Sequence, residues 1–396
     1  MDNRQLNRNP ASRFVPNTVA LVIQTVVATL ITLLQIKILA TNLPKETFGL
    51  FVSFRGFSLL LSTLAANGIP LLLVRFMPVQ EARHARRTAL RLAAVSVLAA
   101  VALLLVVSVV AQIFRTWTWG FAGPSRPTPG LYFWFYATTL GVMLKMIVYG
   151  GLNGLRRLTV QVVLEIFSLA SVLAGIIVFR HGLTLGLLFE ILGCVHMVTA
   201  VAGLAVFFGL LRGQTGGARV EPGGHEPDGG MHPYMSYYGG AVGLSLVALA
   251  FTDVDRYLLA QVISLEMLAV FHVGARINRL ANRVLGVANL AFQPEVTRLD
   301  AEGRQASVVR PTWIFLKFNT AIAVLMMTAV IVFAGEIITV VSSVRYAGAI
   351  PLLVILALSL PLTTMTAPVT TVMKARDQVR GALVCDLAWA LIYILL

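Results

Sequence analysis

Residues 89–113 read ALRLAAVSVLAAVALLLVVSVVAQI, with Arg91 as the one charged residue in the run. A helix needs about 20 largely apolar residues to cross the hydrocarbon of a bilayer. The run lacks the strict alternation of a barrel strand, and only a helix satisfies its own backbone groups within lipid. Working outward, comparable stretches lie at 15–40, 48–73, 131–152, 160–180, 184–211, 236–260, 267–292, 312–334 and 348–373, and a further one starts near 380 and is still running at Leu396. The sequence therefore predicts an all-α integral membrane protein with about eleven transmembrane helices.

Composition agrees. Of 396 residues, 58% are hydrophobic and 12% charged, roughly half the charge of a soluble domain. The net charge of +14 arises from basic loops of a membrane protein, so nucleic acid is not an expected partner. The two cysteines, Cys194 and Cys385, sit inside apolar runs, which argues against a disulfide framework or a thiolate metal site. The basic N-terminus followed by an apolar stretch over 15–40 is too long for the signal-peptide core of about 7–15 residues, and reads as the first span.

Lys and Arg set the orientation. The N-terminus and the loops after even-numbered spans hold eighteen of them, and the other side holds six. The positive-inside rule then places the N-terminus in the cytoplasm of a multi-pass protein of the bacterial inner membrane. The segment 213–230, GQTGGARVEPGGHEPDGG, is rich in Gly and Pro and reads as a cytoplasmic linker. It contains no GxxxxGK[ST] pattern, so no nucleotide site, and no other cofactor, is expected. The expected organisation is a six-helix bundle over 1–211, a linker over 212–235 and a second, incomplete bundle over 236–396.

The two halves repeat. Leu39–Phe51 set against Leu259–Phe271, a shift of 220 residues, aligns Leu, Ala, Glu and Phe without a gap. The same shift carries the spans 89–113 and 131–152 close to those at 312–334 and 348–373. Six spans separate the copies, so the repeat is parallel, about an axis along the membrane normal. It predicts a twelfth helix beyond Leu396.

Charges inside the spans indicate function, because each costs roughly 2.5–3.5 kcal/mol at mid-bilayer. The eighth span carries Arg276, Arg279 and Arg283, with Asn282 beside them. Their spacings of three and four make one stripe spread over about 10 Å of depth. A lipid-facing column of three arginines is implausible, so the stripe is expected to line a water-filled cavity. Arg55 in the second span falls next to Arg276 under the repeat, and Lys37 and Lys145 add cations from the first and fourth spans. Cations so placed suit a bulky anionic cargo, since arginine grips phosphate oxygens through paired, charge-assisted bonds. Glu165, Asp253, Asp255 and Asp386 are candidate proton or sodium coupling sites, each equally readable as half of an ion pair. His196 and His272 read first as hydrogen-bond partners between helices.

The stretches ILATNLPKETFGLF (38–51), NGIPLLLVRF (67–76), DVDRYLLAQVISLEMLAVFHVGARI (253–277), AFQPEVTRL (291–299) and RYAGAIPLLVILA (345–357) resemble, in order, motifs of the multidrug/oligosaccharidyl-lipid/polysaccharide (MOP) exporter superfamily, in particular its polysaccharide or O-antigen flippases. The resemblance implies two six-helix bundles in a V around a central cavity, alternating access, and an undecaprenyl-pyrophosphate-linked oligosaccharide as cargo. It makes Arg55, Arg276, Arg279 and Arg283 candidates for the pyrophosphate or acidic sugars. It also implies membrane lipids as surroundings and polysaccharide polymerase or glycosyltransferase partners. The alternatives are a drug or cation antiporter of the same superfamily, which calls for cavity carboxylates, and a membrane glycosyltransferase or O-antigen ligase, which calls for a large loop or soluble domain. The sequence shows no such domain, and an enzyme is not expected.

Overall fold

The structure is a computed structural model. It describes residues 10–82, 86–113, 128–155, 157–213, 238–239, 241–243, 254–301, 305–375 and a few positions between 381 and 388. The expected linker and most of the eleventh span lie outside the described residues, as does much of the seventh. Those described form helices α1 (Pro10–Asn42), α2 (Lys45–Ala66), α3 (Ile69–Ala82), α4 (Arg86–Ile113), α5 (Pro129–Gly154), α6 (Leu158–Val178), α7 (Leu185–Gly213), α8 (Val254–Leu259), α9 (Leu265–Ala301), α10 (Gln305–Val332), α11 (Ala334–Val341), α12 (Ala349–Ala357) and α13 (Ser359–Ala375).

Eight stretches among the described residues are long and apolar enough to cross a membrane. Their surfaces fit that role. On α4, Leu98, Leu105 and Ile113 are each more than 60% exposed, a display that water would penalise and acyl chains do not. The expected eighth span coincides with α9, whose charges keep it out of that apolar set.

The repeat survives in the helix starts. A shift of 220 carries the first residue of α2, Lys45, onto the first of α9, Leu265. It carries Pro129, which opens α5, onto Ala349, which opens α12. One proline in each half coincides with a helix break. Proline cannot donate to the carbonyl four residues back, and its ring crowds that carbonyl. Accordingly α2 ends at Ala66, four residues before Pro70, and α12 ends at Ala357, four before Pro361. The first of these breaks is sharper because Gly68 takes φ +75°, a conformation other residues rarely adopt.

Contacts divide the chain into two compact units. One comprises Met1–Gly49, Ile176–His181 and Ile263–Leu396; the other comprises Leu50–Gly175 and Gly182–Val262. In the first unit α1 packs against α9 and α11. The tie is reciprocal. Lys37 donates from α1 to the carbonyl of Thr339 near the C-terminal end of α11 (3.1 Å). Arg345 donates back to the carbonyls of Ala40 and Thr41, at the C-terminal end of α1 (2.9 and 2.8 Å). The last four carbonyls of a helix lack partners within it and carry its negative end, so a cation there is favoured twice over. Beside this tie Phe48 meets the rings of His272 and Tyr346 edge-on. Gly49 lets the start of α2 lie against the carbonyl of Leu265, where a side chain would collide.

In the second unit α5 is the central helix. Thr128 caps it by accepting from the amide of Leu131, and Pro129 occupies the first turn, where its missing N–H costs nothing. It packs chiefly on α7, where Gly141 admits the backbone of His196, the small-residue contact that membrane helices use in place of a hydrophobic drive. Buried hydroxyls stitch α2 to α5: Ser58 to Thr139 (2.9 Å), and Ser62 to the carbonyl of Thr139 (2.8 Å).

Candidate functional site

Helix α9 carries more charged residues than any other described helix. It opens on Ser264, whose hydroxyl accepts from the amide of Met267 (3.3 Å), with Glu266 in the first turn, both favourable at a helix N-terminus. Leu268, Val273, Ile277, Leu280 and Leu285 are buried. Arg276 and Arg279 are half-buried and Arg283 is exposed. Where α9 meets α12 and α13, the contacts are small and polar. Gly274 approaches Ala349 and Leu352, Asn278 donates to Ser359 (3.5 Å), and Asn282 accepts from Thr363 (2.7 Å). Asn282 lies about 60–100° round the helix from Arg279 and Arg283. Its amide is thus engaged in holding α9 to α13, while the arginines occupy the neighbouring face.

Arg55 on α2 belongs to the other unit. It is half-buried, with its guanidinium 6.0 Å from the Phe51 ring one turn earlier, a spacing at which a cation and an aromatic face attract. Lys37 is occupied in the cap on α11 described above.

Lys145 differs most from its sequence reading as a cavity cation. It is buried on α5 and forms an ion pair with Glu165 of α6 (3.1 Å). Its ammonium also donates to Ser168 (2.9 Å). Tyr149, one turn along α5, donates to the same oxygen of Glu165 (2.9 Å). Ser168 in turn lies 3.4 Å from Nδ1 of His196 on α7. Lys145 therefore does not stand as an isolated cation, since its charge is matched across the helix contact. Sequence reasoning named Lys145 and Glu165 in separate roles and passed over Tyr149 and Ser168. The signal was present: Lys145 and Tyr149 are four residues apart and Glu165 and Ser168 three, so each pair shares a helix face. His196 joins helices through a hydrogen bond, as expected. Asp253 and Asp386 lie outside the described residues, as does the side chain of Asp255.

No cluster of three or more His, Cys, Asp or Glu with metal-binding geometry occurs among the described residues. A cleft of about 370 Å³ at the ends of α5 and α7, lined by Leu155, Arg157, Val206 and Leu210, contains none of the candidate residues.

The model of a family described as polysaccharide biosynthesis protein matches residues 14–300. The chain belongs to that family. No curated protein matches the sequence. Among solved structures, the inward-facing form of a multidrug resistance MATE family transporter of the MOP superfamily superposes with a TM-score of 0.72 at 14% identity, over 95% of this chain and 88% of that one. The outward-facing form of a multidrug resistance MATE family transporter of the same superfamily gives 0.62 at 13% identity, over 98% and 87%. A mutant of the Vibrio cholerae MATE transporter VcmN gives 0.60 at 15% identity, over 94% and 87%. At such identities the likeness establishes the fold: all-helical, with two repeated helix bundles. With its long apolar helices, the chain is a multi-pass membrane protein of the polysaccharide biosynthesis family.

Proposed function

We propose that this family member is a flippase that carries an undecaprenyl-pyrophosphate-linked oligosaccharide, an O-antigen, capsule or exopolysaccharide unit, across the bacterial inner membrane by alternating access. The observation that carries the reading is the face of α9 bearing Arg276, Arg279 and Arg283, one of them exposed and two half-exposed. Three guanidinium groups within about 10 Å along a membrane helix match the span of a pyrophosphate and its first sugars. Each can present two parallel donors to a phosphate. The sugar-pyrophosphate head exchanges part of its hydration for these donors while the lipid tail remains in the bilayer, which lowers the barrier to crossing. Arg55 supplies a further cation from the other half of the repeat. Glu165, Asp253, Asp255 and Asp386 are the candidates for coupling to a proton or sodium gradient. Polymerase or glycosyltransferase partners would supply and consume the carried unit.

Family membership supports this cargo, and so does the sign of the charge on α9. A drug or cation antiporter of the same fold binds positively charged compounds, for which a column of arginines is repulsive. The test is Arg279→Ala with Arg283→Ala in cells that depend on this protein for surface polysaccharide. The variant reaches the membrane in normal amount, and surface polysaccharide is lost. Normal polysaccharide from that variant would remove the cargo assignment. The excess of Lys and Arg on one side supports a cytoplasmic N-terminus and linker. In a version lacking Cys194 and Cys385, Pro222→Cys is then labelled only by reagents that enter the cell.

A further inference from the structure

The cluster around Glu165 has the composition of an anion receptor that is already filled. A single carboxylate oxygen of Glu165 takes the Lys145 ammonium at 3.1 Å and the Tyr149 hydroxyl at 2.9 Å. Ser168 binds the same ammonium at 2.9 Å and reaches His196 at 3.4 Å. Lysine and tyrosine thus converge on one negatively charged oxygen, and serine and histidine extend the network from the ammonium to a third helix. The ammonium and the phenol hydroxyl are donors that would serve a phosphate oxygen equally well. The oxygen they surround comes from the protein itself, at the tip of a flexible side chain that is about one-fifth exposed, whereas Lys145 is nine-tenths buried.

We propose that Lys145 heads a second oxyanion-binding site, in the α5–α6–α7 cluster, which the Glu165 carboxylate keeps closed and which accepts a phosphate oxygen of the cargo only when Glu165 takes up a proton. This rests on the anionic-cargo reading above and adds to it a site away from α9 and a condition for its use. The charges balance. With Glu165 ionised, the Lys145–Glu165 pair is neutral and an incoming phosphate meets no net attraction. Once the carboxylate gains a proton from water it is neutral, and its claim on Lys145 falls to that of an ordinary hydrogen-bonding group. The ammonium then carries an unmatched positive charge in a medium of low dielectric, where an anion is bound strongly. One proton and one anionic oxygen enter together, and they leave together.

Other charged groups lie near the cluster. Arg55 on α2 interacts electrostatically with His196, as does Lys145. Glu165 is the carboxylate that the Lys145 ammonium touches, so the loss of its charge is what leaves that ammonium unmatched. Glu190, the carboxylate on α7, sits six residues or about 9 Å along the helix from His196. Glu165 is therefore the group whose protonation opens the site.

The experiment is calorimetric titration of the purified full chain in detergent with geranyl pyrophosphate, in buffers of different ionisation enthalpy and over a range of pH. The expected result is uptake of one more proton per bound pyrophosphate in the unaltered protein than in Glu165→Gln. Affinity falls by about tenfold per pH unit on the alkaline side. In Glu165→Gln that slope flattens and binding at alkaline pH is tighter than in the unaltered protein. Tyr149→Phe, a milder change, weakens binding while keeping the pH slope. Galacturonic acid as the titrant replaces pyrophosphate in these effects if the site takes a sugar carboxylate instead. Pyrophosphate binding with equal proton uptake and equal pH slope in the unaltered protein and in Glu165→Gln overturns the closed-receptor proposal and leaves the cargo assignment standing. Absence of binding of either anion to any of the three proteins overturns both.

Discussion

Helices α2 and α9 begin at equivalent places in the repeat, yet they treat charge differently. Under the shift of 220, Arg276, Arg279 and Arg283 of α9 stand opposite Gly56, Leu59 and Thr63 of α2, while Arg55 of α2 stands opposite Ala275. The reverse holds further along. Lys145 of α5, with its partner Glu165, stands opposite Met365 and Cys385, and Met365 is 45% exposed. One half thus carries three arginines on a helix face that is half to fully exposed, and the other encloses a lysine beside a carboxylate. A repeat conserves helix register because packing geometry enforces it, but it leaves charge free to diverge.

The largest effect belongs to the accessible face. Removing Arg279 and Arg283 together abolishes surface polysaccharide with no loss of protein, as set out above, whereas removing the equivalents Leu59 and Thr63 leaves cargo handling intact. If both pairs behave alike, the comparison fails. Next comes the enclosed pair. Glu165→Ala strands the buried Lys145 ammonium and costs about 3–5 kcal/mol of stability. Lys145→Met with Glu165→Met restores most of it, as read from the thermal melting of the purified protein. Equal losses in the single and double variants would mean that the pair contributes packing and not charge matching.

A smaller loss tests the contact that holds this cluster in place. Gly141→Val puts a branched side chain against the backbone of His196 and costs roughly 1–3 kcal/mol through overpacking. The pair Lys145–Glu165 should loosen with it, seen as faster amide exchange in α5 and α7. The smallest effect separates the two faces of α9. Asn282→Ala loses the bond from Thr363, worth about 0.6 kcal/mol in a membrane interior, and lowers melting slightly while surface polysaccharide stays normal. Loss of polysaccharide in that variant would return Asn282 to the cargo-binding set.

Much of this architecture was legible in the residues. Apolar length located the spans, since the hydrocarbon thickness fixes how many residues a helix needs. The 220-residue shift, read from four identities, lands on the first residue of α9 and of α12. The arginine column was legible for the same reason, because charge in an apolar run is rare and periodicity places it on one face. The partner of each cation was not. Lys37 turns to the carbonyl of Thr339, more than 300 residues away, and Lys145 to Glu165. Both choices depend on which helices pack together and at what height. Asn282 was grouped with the arginines because it is adjacent in sequence, whereas a rotation of 60–100° was enough to commit it to Thr363.

The crossed ties between α1 and the α11 region bear on mechanical behaviour. Lys37 of α1 meets a carbonyl of α11, and Arg345, just past the end of α11, meets two carbonyls of α1, so neither bond can be lost by sliding one segment alone. Drawn out of a bilayer by its amino end, the chain would not surrender its first helix as a separate step. The force trace should show α1 and the segment up to Tyr346 yielding in one event.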